Sequence, residues 1–414
     1  MKIVKTQVLS WIAVLMTCAA VYAAPRSIKR HAALREGPGS FYPVVSWLER
    51  GTTVDAVAVR GSWIESRTLQ KKQGWLPRNA FKAPRKGVDY AGLLNSDKAV
   101  VISSVDIAAA TKGAFEARYS EKKKVDFKLM NELDSLKVNA AEVSRILGYL
   151  KPAVRPVVPN LPHPVYKNNV IVNGDAEHLL GRAIAATLVT PGFIDNSNTI
   201  ARVNEIAAVV GMRTQRYDLP LRVAVIDDES VAGYGLPGGY IVISSGMLKE
   251  VRSEAELACL LGHEMAHVCL YHGLREFNKR STHRKSDSAF AELDAQAAVE
   301  DPFAELNQLS GDTNAAAIEK DLRRLADTSY MKVIGKRGRQ DELEADLYGA
   351  AYAADAGYNP EALVNYLERI KNSHDIHDAF RNHPSLDDRI SALQSGISRY
   401  RIKRAGQTDK PECF

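Results

Sequence analysis

The sequence predicts an α+β protein: a small all-β barrel followed by a mainly helical domain that carries a small sheet. Three observations predict it. Residues 27 to 82 read as short alternating strands punctuated by Gly37-Pro38-Gly39, Gly51, Gly61 and Gly74. The stretch "KPAVRPVVPNLPHPVY" then places five of the chain's 17 prolines in 16 residues. Beyond it lie two segments of helical periodicity, one rich in histidine and one rich in acid.

At 414 residues, 45% hydrophobic and 25% charged, the chain can bury two or three domains' worth of core. Its first residues carry Lys2 and Lys5, an apolar run from Val8 to Ala20 and the small-residue pattern "VYAAP", which together predict a signal peptide over 1–23. Cutting after Ala23 puts Val21 and Ala23 in the small-residue positions, and cutting one residue later would leave Pro25 just beyond the bond. The run is short for a membrane span of about 20 residues. Thr17 makes Cys18 a poor lipid-attachment match. The mature chain is therefore expected in the periplasm or outside the cell, without a transmembrane span. Losing the two lysines lowers the net charge from +6 to +4, too mild to argue for nucleic acid. Cys259 and Cys269 lie ten residues apart on one predicted helix and cannot pair, so no disulfide framework is expected.

The β-rich stretch, 26–85, resembles a bacterial SH3-like domain, with "LREGPG" near its start and "GWLPRNAF" near its end. Trp47, Trp63 and Trp75 are candidates for a platform that takes peptide or peptidoglycan. Residues 86–150 predict two or three helices, and 151–167 a stiff Pro-rich linker. A second domain is expected over 168–400, with a tail at 401–414.

The chemistry lies in "SEAELACLLGHEMAHVCLYHG". Ser253 and Glu256 form a capping-box pattern and Gly273 is a plausible stop, so the segment predicts a helix. On it His263 and His267, four apart, share a face and can address one ion. Glu264, about 100° round, is placed to hold a water beside that ion rather than to bind it. This is the arrangement of metal-assisted hydrolysis, in which the glutamate takes the water's proton and passes it to the leaving amine. His272, by contrast, has no matching partner and reads as structural or solvated.

A catalytic zinc needs a third protein ligand. The acidic segment "RQDELEADLYGAAYAADAGYNPEALVNYL" supplies three candidates. Glu342 and Asp346 share a face, whereas Glu344 points some 200° away. Glu342 as ligand, with Asp346 accepting a hydrogen bond from a ligand histidine, is the economical assignment. Glu344 remains the alternative ligand.

The ordered set "LPGGYIVISSGML", "SEAELACLLGHEMAHV", "DELEADLYG", "AGYNPEAL" and "HPSLDDRI" resembles the zinc metallopeptidase family of the CAAX prenyl endopeptidases and HtpX-like proteases, in its soluble periplasmic BepA-like branch. The resemblance runs from about 176 to 393. It implies a zincin-type metalloprotease domain with one Zn2+ per chain, its E-x-x-A-D motif falling on Glu342, Ala345 and Asp346. It implies that "GGYIVIS" is an edge strand whose residues Gly239, Tyr240, Ile241 and Val242 bind substrate main chain by strand addition. Where relatives carry an N-A-F-A-like run, this sequence has "AGYG", Ala232 to Gly235. His383 matches the family's H-P motif, either as an oxyanion-stabilising catalytic group or as an inhibitory ligand on zinc's open position. Residues 279 to 331 form an insertion of the kind that covers active sites.

The expected function is zinc-dependent endoproteolysis of unfolded or misassembled envelope proteins. The alternative is a chaperone or assembly factor for envelope proteins with weak or regulated proteolysis. A third possibility, a cell-wall-binding protein with a structural metal, is disfavoured by Glu264, which a purely structural site would not need.

Overall fold

The computed structural model describes residues 25–82, 127–153, 156–161, 174–189, 191–273, 339–372 and 385–403. The chain divides into two compact units, Met1–Arg85 and Lys86–Phe414. The predicted signal peptide, the second half of the Pro-rich stretch, the 279–331 insertion and the end of the tail lie outside the described residues.

Among the described residues the first unit holds six strands: β1 (Pro25–Ser27), β2 (Ala32–Arg35), β3 (Val44–Leu48), β4 (Thr53–Arg60), β5 (Trp63–Thr68) and β6 (Gln73–Pro77). Every pairing is antiparallel, in the order β1-β4-β5-β6-β2-β3. Ile28, Leu34, Leu48, Val54, Leu76 and Ala80 make its core. The order ends at β1 on one side and β3 on the other, so the sheet is open among the described residues and is not the closed barrel expected. The three tryptophans do not act alike. Trp63 is buried, while Trp47 is 60% exposed with His31 stacked on it at 5.0 Å.

In the second unit the described helices are α1 (Phe127–Ser135), α2 (Ala140–Leu150), α3 (Gly174–Leu188), α4 (Ser197–Gly211), α5 (Ser245–Glu250), α6 (Glu254–Cys269), α7 (Arg339–Ala356), α8 (Glu361–Lys371) and α9 (Leu386–Arg399). The architecture is α+β. None of these helices is long and apolar enough to cross a membrane. Strands β7 (Arg222–Ile226), β8 (Gly233–Leu236) and β9 (Tyr240–Ser244) form a sheet in the order β7-β9-β8, with β7 parallel and β8 antiparallel to β9.

Helices α1 and α2, expected to form a separate segment, pack into this unit against α3 and α4 respectively. The Pro-rich stretch also docks rather than standing off as a spacer. The buried Asp355 carboxylate of α7 accepts hydrogen bonds from the Val157 and Val158 main-chain N–H groups at 2.7 to 3.2 Å, and Val158 and Leu161 are buried.

The central helix is α6, whose residues are buried nearly all round. Its start is held from several sides. The Glu254 carboxylate accepts from Tyr149 (2.8 Å), Tyr358 (2.6 Å) and Arg202 (2.5 Å), joining α2, α4 and the α7–α8 turn. Ser253 caps the helix by accepting from the Glu256 N–H at 3.2 Å, as the sequence pattern predicts. The returning half of the box is shifted by one residue, because the Glu256 carboxylate accepts from the Arg252 N–H and is gripped by Arg369 of α8.

Candidate metal centre

Helices α6 and α7 cross at closest approach where Gly262 meets Gly349. A β-carbon on Gly262 would lie 2.6 Å from the Gly349 carbonyl oxygen, so neither position tolerates a side chain without the helices parting. This contact slides the first turns of α7 against the middle of α6. His263 and His267 thereby face Glu342 and Asp346, all four buried.

The two imidazole Nε2 atoms are 3.1 Å apart. Glu342 Oε2 lies 3.6 Å from His263 Nε2, and Glu342 Oε1 lies 3.5 Å from His267 Nε2. A tetrahedral zinc with ligands at about 2.0 to 2.1 Å requires ligand atoms about 3.3 to 3.4 Å apart. The separations are close to that edge length, with one Glu342 oxygen toward each imidazole, so two imidazoles and a carboxylate, a donor set zinc favours, converge closely enough to share one ion. His263, His267 and Glu342 are thus residues that could hold a metal.

The protons agree with this. Asp346 Oδ1 is 2.9 Å from His263 Nδ1. An ionised carboxylate only accepts, so Nδ1 carries the hydrogen and a neutral His263 presents a bare Nε2 lone pair toward the other two donors. Arg389 of α9 holds that carboxylate from the far side, donating from Nε at 2.8 Å and from Nη2 at 2.6 Å. Burial alone would raise the Asp346 pKa, but the Arg389 charge and hydrogen bonds, with those of His263, hold it below the ordinary range. The guanidinium also lies 3.7 Å from Glu342.

Glu264, the next residue on α6, is buried and points toward β8. A β-carbon on Gly233 would come within 2.8 Å of its Oε1, and one on Gly235 within 2.1 Å of its main-chain oxygen. The glycines of "AGYG" therefore let β8 lie directly on the helix beside the carboxylate.

Two sequence expectations are corrected here. The substrate-binding assignment to Gly239, Tyr240, Ile241 and Val242 assumed an edge strand. Instead β9 is the middle strand, paired along its length with β7 and β8 and buried throughout, so its main chain cannot take an added strand. Gly239 lies in the tight turn leading into it, with φ of 88°. The strand beside Glu264 is β8. Secondly, His272 is neither solvated nor without a partner: it is buried, with its Nδ1 2.7 Å from His267 Nδ1.

Glu344, the alternative third ligand, faces His272 rather than the Nε2 pair, at 3.5 Å. His383 lies outside the described residues. The grip of Arg389 on Asp346 carries no local signal in the sequence, since the two are 43 residues apart.

The model of peptidase family M48 matches residues 195–397, which span α6, α7 and most of α9. Residues 195–397 are a peptidase family M48 domain. It is 27% identical over 190 residues to a putative beta-barrel assembly-enhancing protease of Vibrio cholerae, which covers 44% of this chain and 35% of that protein. It is 26% identical over 194 residues to the mitochondrial metalloendopeptidase OMA1 of Arabidopsis thaliana, covering 45% and 35%. Metalloprotease YcaL of Escherichia coli matches at 22% over 243 residues, covering 56% of this chain and 84% of YcaL. The chain thus spans about a third of the first two relatives' length. The M48 match contains every described residue of the candidate centre and leaves the N-terminal sheet outside it.

Proposed function

We propose that this chain is a zinc-dependent endopeptidase, located in the periplasm or secreted, that hydrolyses unfolded or misassembled envelope proteins. The observation that carries the reading is the convergence of the His263 and His267 Nε2 atoms and the Glu342 carboxylate at 3.1 to 3.6 Å, with Glu264 on the adjoining position of the same helix. The M48 match over residues 195–397 supports peptide-bond hydrolysis, and relatives named as assembly-enhancing proteases support envelope proteins as the substrate class.

In this reading His263, His267 and Glu342 hold the ion. Zinc supplies Lewis acidity, polarising the scissile carbonyl and lowering the pKa of water to about 7. Glu264 orients the attacking water, takes its proton and returns it to the leaving amine. Asp346 keeps the His263 hydrogen on Nδ1, and Arg389 keeps Asp346 ionised and aimed. The N-terminal sheet, SH3-like in sequence, would meet peptide or peptidoglycan through exposed Trp47.

The test is metal analysis of the purified chain together with cleavage of unfolded casein, with and without chelator. About one zinc per chain is expected, with cleavage that chelator abolishes and zinc restores. Glu264→Gln should keep the zinc and lose the cleavage. Zinc retention with undiminished cleavage by Glu264→Gln would remove the assigned base. Zinc binding by a parent chain that cuts no unfolded protein would favour the chaperone alternative.

A further inference from the structure

A second buried group of potential ligands sits beside the first: His272, Asp341 and Glu344. The backbone places it there by an unusual route. The regular part of α6 ends at Cys269, and Tyr271 adopts a left-handed conformation with φ of 57°. On an uninterrupted helix residue 272 would sit about 140° round from residue 267, facing elsewhere. The left-handed step turns the chain so that the His272 ring meets the His267 ring edge to face, their centroids 4.8 Å apart. For a residue other than glycine this step is unfavourable, because the β-carbon crowds the following carbonyl oxygen. The Tyr271 ring lies under the Arg216 guanidinium at 4.8 Å, and Arg216 is itself paired with buried Glu177. The surrounding structure thus holds the strained residue in place.

Proton bookkeeping decides what the cluster does. If His267 gives Nε2 to zinc as a neutral imidazole, its hydrogen must be on Nδ1. Nδ1 stands 2.7 Å from His272 Nδ1, so the His272 nitrogen must be the acceptor and carry no hydrogen. A neutral His272 then has its hydrogen on Nε2, which lies 3.5 Å from Glu344 Oε2 and 4.0 Å from Asp341 Oδ1. Every proton along the series has one place, and the last faces two carboxylates without a formed hydrogen bond. A second metal on His272 Nε2 would push the His272 hydrogen to Nδ1, where it would collide with that of His267. The two arrangements exclude each other while zinc is bound.

We propose that His272 is a positioning residue for the metal centre: it accepts the His267 Nδ1 hydrogen, turns its own Nε2 hydrogen to the side of Glu344, and so fixes the tautomer and orientation of His267. His267 would then be supported through a second imidazole as His263 is through Asp346. The inference rests on zinc being held by His263, His267 and Glu342.

The test is zinc affinity by competition with a chromophoric chelator, read without any activity assay, with zinc-free melting temperatures measured alongside. His272→Phe fills the space without accepting, and should bind zinc about tenfold to a hundredfold more weakly than the parent. His272→Asn places an amide oxygen near the former Nδ1 and should recover most of that loss. Glu344→Gln should show a smaller loss. If His272→Phe binds zinc as tightly as the parent, or His272→Asn is no better than His272→Phe, His272 is packing and the inference falls. Two zinc ions per parent chain, one of them lost in Glu344→Gln, would overturn it in favour of a second metal site. A parent chain that binds no zinc would instead refute the proposed function on which the inference rests.

Discussion

The Gly349 α-carbon sits so close to His263 that a β-carbon there would lie 2.5 Å from the His263 main-chain nitrogen. A helix interior normally favours alanine over glycine by about 1 kcal/mol. Here the crossing of α6 and α7 reverses the preference, because any added atom must push the carboxylate helix away from the histidine helix.

Gly349→Ala should therefore destabilise the zinc-free chain by about 1 to 3 kcal/mol, the usual cost of overpacking. It should also weaken zinc binding, because Glu342 retreats with α7. Thermal unfolding and chelator competition measure the two effects. A more stable variant with unchanged zinc affinity would mean that the helices can separate without moving the ligands.

Glu342→Ala should lose zinc affinity far more than Glu344→Ala, because only Glu342 lies against both Nε2 atoms. Asp346→Asn should cost about tenfold to a hundredfold in affinity or rate, as removal of a histidine's supporting carboxylate does. It should also strand the buried Arg389 guanidinium, so part of its effect must appear as lost stability in the zinc-free chain. A reversed order for the two glutamates would move the ligand assignment to Glu344.

Some of this site was legible in the sequence, and the reasons are local. His263 and His267, like Glu342 and Asp346, are four apart on helices, and helix geometry alone puts each pair on one face. The Ser253 cap is legible for the same reason. What escaped is set by tertiary structure. Position 272 reads as off the metal face until Tyr271 breaks the helical phase. Arg389 reaches Asp346 from a different helix. An alternating apolar strand such as 240–244 looks alike at the edge or in the middle of a sheet, and only pairing with both β7 and β8 reveals that it is central.

Gly235→Ala tests the approach of β8 to α6. The added methyl would lie 2.1 Å from the Glu264 main-chain oxygen, a clash with backbone that no rotamer relieves. Casein cleavage should fall steeply, while zinc affinity should fall less, because the strand borders the proposed base rather than the three ligands. Activity equal to the parent's would show that β8 can lift away without disturbing Glu264.

Zinc uptake should release protons, and more of them at low pH. In the zinc-free chain burial disfavours charge on His263, yet the hydrogen bond and charge of Asp346, followed by Glu342 and Glu264, outweigh it and raise its pKa above the ordinary value. With the folded pKa raised, the protonated imidazole contributes stability that is fully present below the unfolded pKa of about 6.5 and is lost as pH rises through the raised value. Zinc needs the bare Nε2 and so competes with this proton. Affinity should fall as pH drops through the raised pKa, and calorimetry in buffers of different ionisation enthalpy should register proton release that is larger at acid than at alkaline pH. Asp346→Asn removes the foremost group that raises the pKa, so its proton release should begin at lower pH. Zinc binding without proton release across the neutral range would show that His263 is already neutral in the zinc-free chain, and that Asp346 only orients the ring.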